Sequence, residues 1–187
     1  MINAISTRTL RTWVTVLAVL MTVGIGAAIV SGANASGREE THCIQQVVPM
    51  TPARAAAGLD SVAGNPDCFA SESEALAATA QLGGVGAGGA RFSNFVWYSI
   101  FKIWSGTDWT GSSYLFYSTV SCDGYFVVNA LSVVGWNDIA SSAAVYCGRD
   151  VDLWEHTYLG GSYHRVLNAD RTLGYLDNKG SSWDTID

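Results

Sequence analysis

The 187-residue sequence is short of positive charge: ten Lys and Arg stand against sixteen Asp and Glu, for a net charge of −6. A partner gripped through its phosphate backbone would need those cations in clusters, so nucleic acid is excluded. Histidine is scarce, with His42, His156 and His164 the three in the chain. No Gly-x-Ser-x-Gly or His-Glu-x-x-His occurs, and no acid stands at a spacing that would orient His156 or His164. The histidines therefore read as surface residues and the chain as non-enzymatic. There is no Cys-x-x-Cys pair and no His at ligand spacing from a Cys, which sets zinc aside. Asp150-x-Asp152 opens like an EF-hand loop, but Trp154 and Glu155 break it.

The one long apolar run comes first. Arg8 and Arg11 precede the apolar stretch Trp13 to Val30, and Ala33-Asn34-Ala35 fits the small-x-small cleavage rule. Residues 1–35 thus read as a signal peptide with the mature start near Ser36. The rival is an uncleaved anchor, since eighteen residues is near the lower limit for spanning. The cleavage site and the interruptions at Gly24 and Gly26 favour the signal peptide. The mature protein is expected to be secreted, monomeric and free of the membrane, with a net charge near −8 once Arg8 and Arg11 are gone. All four cysteines follow the leader, so an exported chain is expected to hold two disulfides. Three pairings are open to Cys43, Cys68, Cys122 and Cys147. Cys43–Cys68 and Cys122–Cys147 are preferred, because each pair stays within one region.

Residues 36–90 read as an N-terminal extension, a cap or spacer in preference to a pro-segment removed after export. Met50-Thr51-Pro52 and Asn65-Pro66-Asp67 signal turns. Ser71 and Glu74 form a capping box for a short helix over Glu72 to Leu82, and Gly83 to Gly89 is a Gly-rich joint. After Arg91 the aromatics become dense, and apolar runs of strand length alternate with Gly, Ser and Asp turns. Residues 91–187 are therefore expected to be an all-β domain. Trp97, Trp104, Trp109, Trp154 and Trp183 read as core and corner packing in preference to a sugar platform.

Two repeats lie inside that domain. Phe101 to Ser112 aligns without a gap on Val151 to Ser162: a strand ending in Trp, a polar turn, an apolar residue five after the Trp and Gly seven after it. The physical logic is a folded hairpin whose aromatic ring lies over its own turn, with Gly where a side chain would collide or φ must be positive. Each repeat then runs to a matching loop, Asn137-Asp138-Ile139-Ala140-Ser141-Ser142 or Asp177-Asn178-Lys179-Gly180-Ser181-Ser182. Adjacent acid or amide groups followed by hydroxyls make a cluster of hard oxygen donors, the kind Ca²⁺ selects. Four strands per repeat fill residues 99–147 and 150–187. Neither half could cover its apolar face alone, so the two are expected to pack as paired sheets.

These features resemble the calcium-binding microbial βγ-crystallin domain, and especially the exported actinobacterial kind that includes Streptomyces metalloproteinase inhibitors. The resemblance implies a sandwich of two Greek-key motifs with two Ca²⁺ sites between paired loops. It implies ligands at Asn137, Asp138, Ile139 (carbonyl) and Ser141, and at Asp177, Asn178, Lys179 (carbonyl) and Ser181. Ser105 and Glu155 would supply turn carbonyls, while Ser142 and Ser182 would be structural, each bonding the folded hairpin of its own motif. The implied function is a secreted, disulfide-stabilised Ca²⁺-binding module engaging an extracellular macromolecule, such as a protease or cell-wall component. The alternative is a metalloprotease inhibitor presenting the Cys122 loop. One departure from the pattern stands out: Gly111 to Asn137 spans twenty-six positions, Gly161 to Asp177 sixteen. The first motif thus carries about ten extra residues around Cys122, and variable loops on a rigid sandwich commonly carry binding.

Overall fold

The described residues form ten strands, and their pairing makes two sheets. The computed structural model describes residues 39–81 and 97–186. The expected signal peptide and the expected Gly-rich joint lie outside the described residues. Motif one supplies β3 (Tyr98–Trp104), β4 (Ser113–Ser118), β5 (Val127–Val128) and β6 (Ser142–Val145). Motif two supplies β7 (Asp150–His156), β8 (Gly160–Val166), β9 (Ala169–Asp170) and β10 (Ser182–Ile186). The four strands expected of each motif are therefore present.

The third strand of each motif leaves its own sheet. In the first sheet β4, β3 and β6 are followed by β9; in the second, β8, β7 and β10 are followed by β5. Each motif thus completes the other's sheet, an all-β Greek-key sandwich of two interlocked halves. Every inward face contributes to one core, centred on Phe101, Phe116, Leu131, Leu153, Leu176 and Trp183. At the hairpin turns Gly111 and Gly161 both have φ of +78°, and a Cβ on either would strike Ser105 or His156. The glycines behave as expected. The Trp104 ring lies under the Lys102 ammonium, 4.6 Å from its centre, and Trp154 lies beside Tyr163. Strand alternation sets both indoles on the outer sheet faces.

The stretch read as an extension supplies two more strands to the first sheet, β1 (His42–Gln46) and β2 (Asp67–Phe69). Strand β1 runs parallel to β4, with His42 opposite Ser113 and Gln46 opposite Tyr117. Cys43 and Cys68 face each other across β1 and β2 and form one disulfide; Cys122 and Cys147 form the other. The pairing is the preferred one. Thr51 caps a first short helix, α1 (Pro52–Ala56), where a turn was expected. The helix expected over Glu72 to Leu82 is α2 (Glu72–Gln81), and the Glu74 N–H donates to Ser71 Oγ at 3.3 Å. Helix α2 covers the outer face of the first sheet, where Ala75 joins Ile44, Trp97, Leu115 and Tyr117 in a second apolar cluster. Lys102, buried at the edge of that cluster, is paired with Glu72 at the start of α2.

Candidate cation site and the outer face of the second sheet

The two oxygen-rich loops meet across the motif boundary. The Asp138 N–H donates to the Gly180 carbonyl at 3.0 Å, and the Asn178 N–H donates to the Ala140 carbonyl at 2.9 Å. Asp138 and Asn178 both sit at positive φ, 57° and 55°, a conformation that short Asx side chains tolerate. Each loop is thereby folded back onto the other. The loop serines are anchored alike: the Ser141 N–H donates to the Trp104 carbonyl and the Ser181 N–H to the Trp154 carbonyl, both at 2.8 Å.

This arrangement regroups the expected ligands. Asp138 Oδ1 lies 3.2 Å from Ser181 Oγ, which is itself 3.5 Å from the Lys179 carbonyl. Asn178 Oδ1 lies 3.5 Å from Ser141 Oγ. Each oxygen cluster therefore takes its acid or amide from one loop and its hydroxyl from the other, which grouping by loop could not reveal. Asn137 donates to Asp138 Oδ2 at 2.6 Å, and Asn178 Nδ2 donates to Asp177 Oδ1 at 3.1 Å, so the first residue of each pair steadies its neighbour. Asp138, Asn178 and Lys179 are exposed, Asn137, Ile139 and Asp177 half-buried, and Ser141 and Ser181 buried. Ser105 and Glu155 follow the Trp residues whose carbonyls hold the loop serines.

Ser142 and Ser182 occupy the structural role expected of them. Ser142 Oγ donates to the Gly106 carbonyl at 2.6 Å and accepts from the Trp109 N–H at 3.1 Å. Ser182 Oγ donates to the His156 carbonyl at 2.6 Å and accepts from the Leu159 N–H at 3.0 Å. Among the described residues no group of three or more His, Cys, Asp or Glu is placed to hold a metal ion. The loop donors are instead mixed: a carboxylate or amide, a hydroxyl and a carbonyl. That set suits a hard cation such as Ca²⁺ and offers nothing to a thiophilic one.

Two expectations about histidine need correction. His42 is buried, because β1 lies inside the sheet and not at the surface, and its Nδ1 is 3.0 Å from Ser113 Oγ. Burial holds its pKa below the usual imidazole value. His164 is oriented by an acid after all: Asp170 Oδ2 lies 2.9 Å from its Nε2. The partner is six residues on, where β9 crosses to the other sheet. His156 is exposed, as expected.

The extra residues of the first motif reach the second sheet. The Tyr125 hydroxyl donates to Asp184 Oδ2 at 3.1 Å, and Trp154 Nε1 donates to Asp184 Oδ1 at 2.8 Å. Beside them Arg165 grips Asp152 with two bonds of 2.8 and 2.9 Å. The cysteine loop is thus tied down, with Gly124 against Pro49 and the Tyr125 carbonyl accepting from the Met50 N–H. Trp97, Trp104 and Trp183 are buried as expected, whereas Trp109 and Trp154 are only half-buried.

Burial pushes the Asp184 carboxyl above the usual range, against the pull of the Trp154 and Tyr125 hydrogen bonds; the nearby Asp152 charge adds to the rise and Arg165 opposes it. Tyr125 is pushed up to about 12 by burial and by Asp184. A folded pKa above the unfolded one means the folded state holds the proton more tightly. The Asp184 charge therefore detracts from stability above its folded pKa; the penalty fades as the pH falls from the folded pKa towards the unfolded one and is gone below it. Asp184→Asn is expected to melt higher than the natural protein at neutral pH, with the gap closing in acid. Paired thermal melts across the carboxylate range check this.

No protein-family model matches the chain, and no curated protein sequence matches it. Among solved structures it is similar to the N-terminal domain of protein S, at 22% identity and a TM-score of 0.39, over 48% of this chain and 97% of that one. A βγ-crystallin domain from Clostridium beijerinckii is similar at 18% identity and a TM-score of 0.38, over 46% and 95% of the two chains. A βγ-crystallin domain from Flavobacterium johnsoniae is similar at 21% and 0.37, over 46% and 93%.

Proposed function

We propose that this is an exported, non-enzymatic binding module whose two crossed loops each hold a Ca²⁺ ion. The observation that carries the reading is the crossing itself. Oxygens from Asp138, Ser181 and Lys179 converge from two motifs, and Asn178 and Ser141 repeat the arrangement. A cation there would tie one motif to the other, so its binding energy would be stability of the whole sandwich. With Ca²⁺ at about 100 times its dissociation constant, each site adds about 2.7 kcal/mol. Export is supported by the two disulfides, which persist in oxidising compartments. No helix among the described residues is long and apolar enough to cross a membrane.

The two sites are not equal. The crossing residue is a carboxylate in one (Asp138) and a neutral amide in the other (Asn178), so the Asp138 site is the stronger. Calorimetric titration with Ca²⁺ tests this. Two unequal binding steps are expected, with the tighter one lost in Asp138→Ala and the weaker one in Asn178→Ala. No heat and no rise in melting temperature with Ca²⁺ would sink the reading.

A further inference from the structure

Helix α2 lies over the outer face of the first sheet, whereas the outward side chains of the second cover one another. Val151, Leu153 and Trp183 point into the core, so alternation sends Asp150, Asp152, Trp154 and Asp184 outward. Strand register puts Asp184 opposite Asp152, Asp152 opposite Arg165, and Trp154 opposite Tyr163. The Trp154 and Tyr163 rings sit side by side, centres 4.9 Å apart, and Tyr163 and Tyr125 remain 45% and 42% exposed. The Trp154 N–H and the Tyr125 O–H are both spent on Asp184. The Trp154 and Tyr125 rings are therefore held in place, and Tyr163 and Tyr125 present the exposed aromatic surface.

Charge selects the occupant. Three carboxylates on this face meet one guanidinium, that of Arg165, which already takes both oxygens of Asp152. Asp184 is 8% exposed, yet the groups bonded to it, Trp154 and Tyr125, are neutral. A buried carboxylate without a bonded cation, flanked by another carboxylate, favours an arriving positive charge. Phosphate, sulfate and uronic acid groups are repelled. Beside Asp184 the exposed Tyr163 ring, tilted 41° from the Trp154 ring, offers an aromatic face of a kind that covers the apolar side of a sugar ring. The Tyr163 ring already has a cation near it, the Arg165 guanidinium carbon 5.7 Å from its centre.

We propose that this face binds an oligosaccharide of amino-bearing pyranose units, with a ring stacked on Tyr163 beside Trp154 and its ammonium group at the Asp184–Asp152 edge. A basic peptide would satisfy the charge but pays more rotamer entropy per cation and leaves the ring pair poorly covered. The extra loop of the first motif is then part of the site, because it delivers Tyr125. The assignment rests on the reading of the protein as an exported binding module. It uses none of the side chains proposed for Ca²⁺; the link between the two is the Ser181 N–H on the Trp154 carbonyl.

The test is a titration of the full chain with a glucosamine hexamer. Calorimetry reads affinity, and the indole N–H resonance of Trp154 reports position. Cellohexaose supplies the ring without the charge, and hexalysine the charge without the ring. The glucosamine hexamer is expected to shift the Trp154 resonance and to bind at least tenfold more tightly than either control. Tyr163→Ala and Asp184→Asn are each expected to weaken it tenfold or more without loss of folding, read as unchanged or higher melting temperature. Absence of a Trp154 shift, equal binding of cellohexaose or hexalysine, or binding that survives Tyr163→Ala overturns the assignment. A Ca²⁺ titration on the same sample separates this failure from failure of the loop reading.

Discussion

Residues 91–187 expressed alone are expected not to give a soluble folded monomer, although both motifs are present in them. The missing strand β1 pairs with β4 along five residues, so the truncated chain exposes the edge of a strand whose side chains are all buried. Such an edge is a template for pairing with another chain. The loss also reaches the second sheet. The Ser61 N–H donates to the Val127 carbonyl at 2.7 Å, and the Val127 N–H donates to Ser61 Oγ at 2.9 Å, so the N-terminal segment bridges β5 as well. Ile44 and Val47 would be removed, and Leu115 and Tyr117 uncovered. At about 1.5–3 kcal/mol for each of these four side chains, the deficit is about 6–12 kcal/mol. That matches the whole stability of a typical domain, about 5–15 kcal/mol. Size-exclusion chromatography of the two chains checks the outcome; a truncated monomer with the natural melting temperature would refute it. The same result bears on the sequence expectation of a cap in preference to a removable pro-segment, because β1 lies between β2 and β4 and its departure would leave β4 unpaired on that side.

Trp183→Ala is expected to destabilise by about 3–5 kcal/mol, the range for losing a fully buried aromatic side chain. Trp183 is inaccessible to solvent and lies where the sheets touch, with ring centres 5.2 Å from Phe101 and 4.9 Å from Phe116. Those partners belong to the first motif and Trp183 to the second, so the ring joins the halves as the crossed loops do. In a chain of this size the loss lowers the melting temperature by about 6–20 °C. Trp183→Phe separates ring packing from polarity. The Trp183 indole N–H is buried without a hydrogen-bond partner, so replacing it with Phe removes an unsatisfied donor along with some volume. Its cost should stay below about 1.5 kcal/mol. Denaturant unfolding of the two variants checks both figures, and equal losses would show that the ring is not the anchor.

What was legible in the chain follows from how local each signal is. The Trp-x6-Gly spacing placed both hairpins, because a turn closing at positive φ is decided by neighbours within a few residues. Ser71 with Glu74 announced the start of α2 for the same reason. The disulfide partners could be chosen because each pair closes a span of 25 residues within one region. Ser142 and Ser182 were readable through their repeat: a hydroxyl in the same place in two copies has the same hairpin to bond.

Tertiary structure decided the rest. The two-residue strands β5 and β9 carry no signal for which sheet edge each joins, and that choice brought Asp170 to His164. The parallel docking of β1 beside β4 depends on residues about seventy apart, and it is why His42 is buried. Asp138 and Ser181 belong to different loops and lie in one cluster only because the motifs exchange their third strands. Trp154, Tyr163, Tyr125 and Asp184 come from three strands and a loop; sequence pattern marked Trp154 as packing, and register across the sheet brought the four to one face. Sequence by itself determined the hairpins, the caps and the chemistry of the loops, since backbone conformation and side-chain type are set locally. Pairing across a sheet is set by the summed burial of distant faces, which only the folded chain can compare.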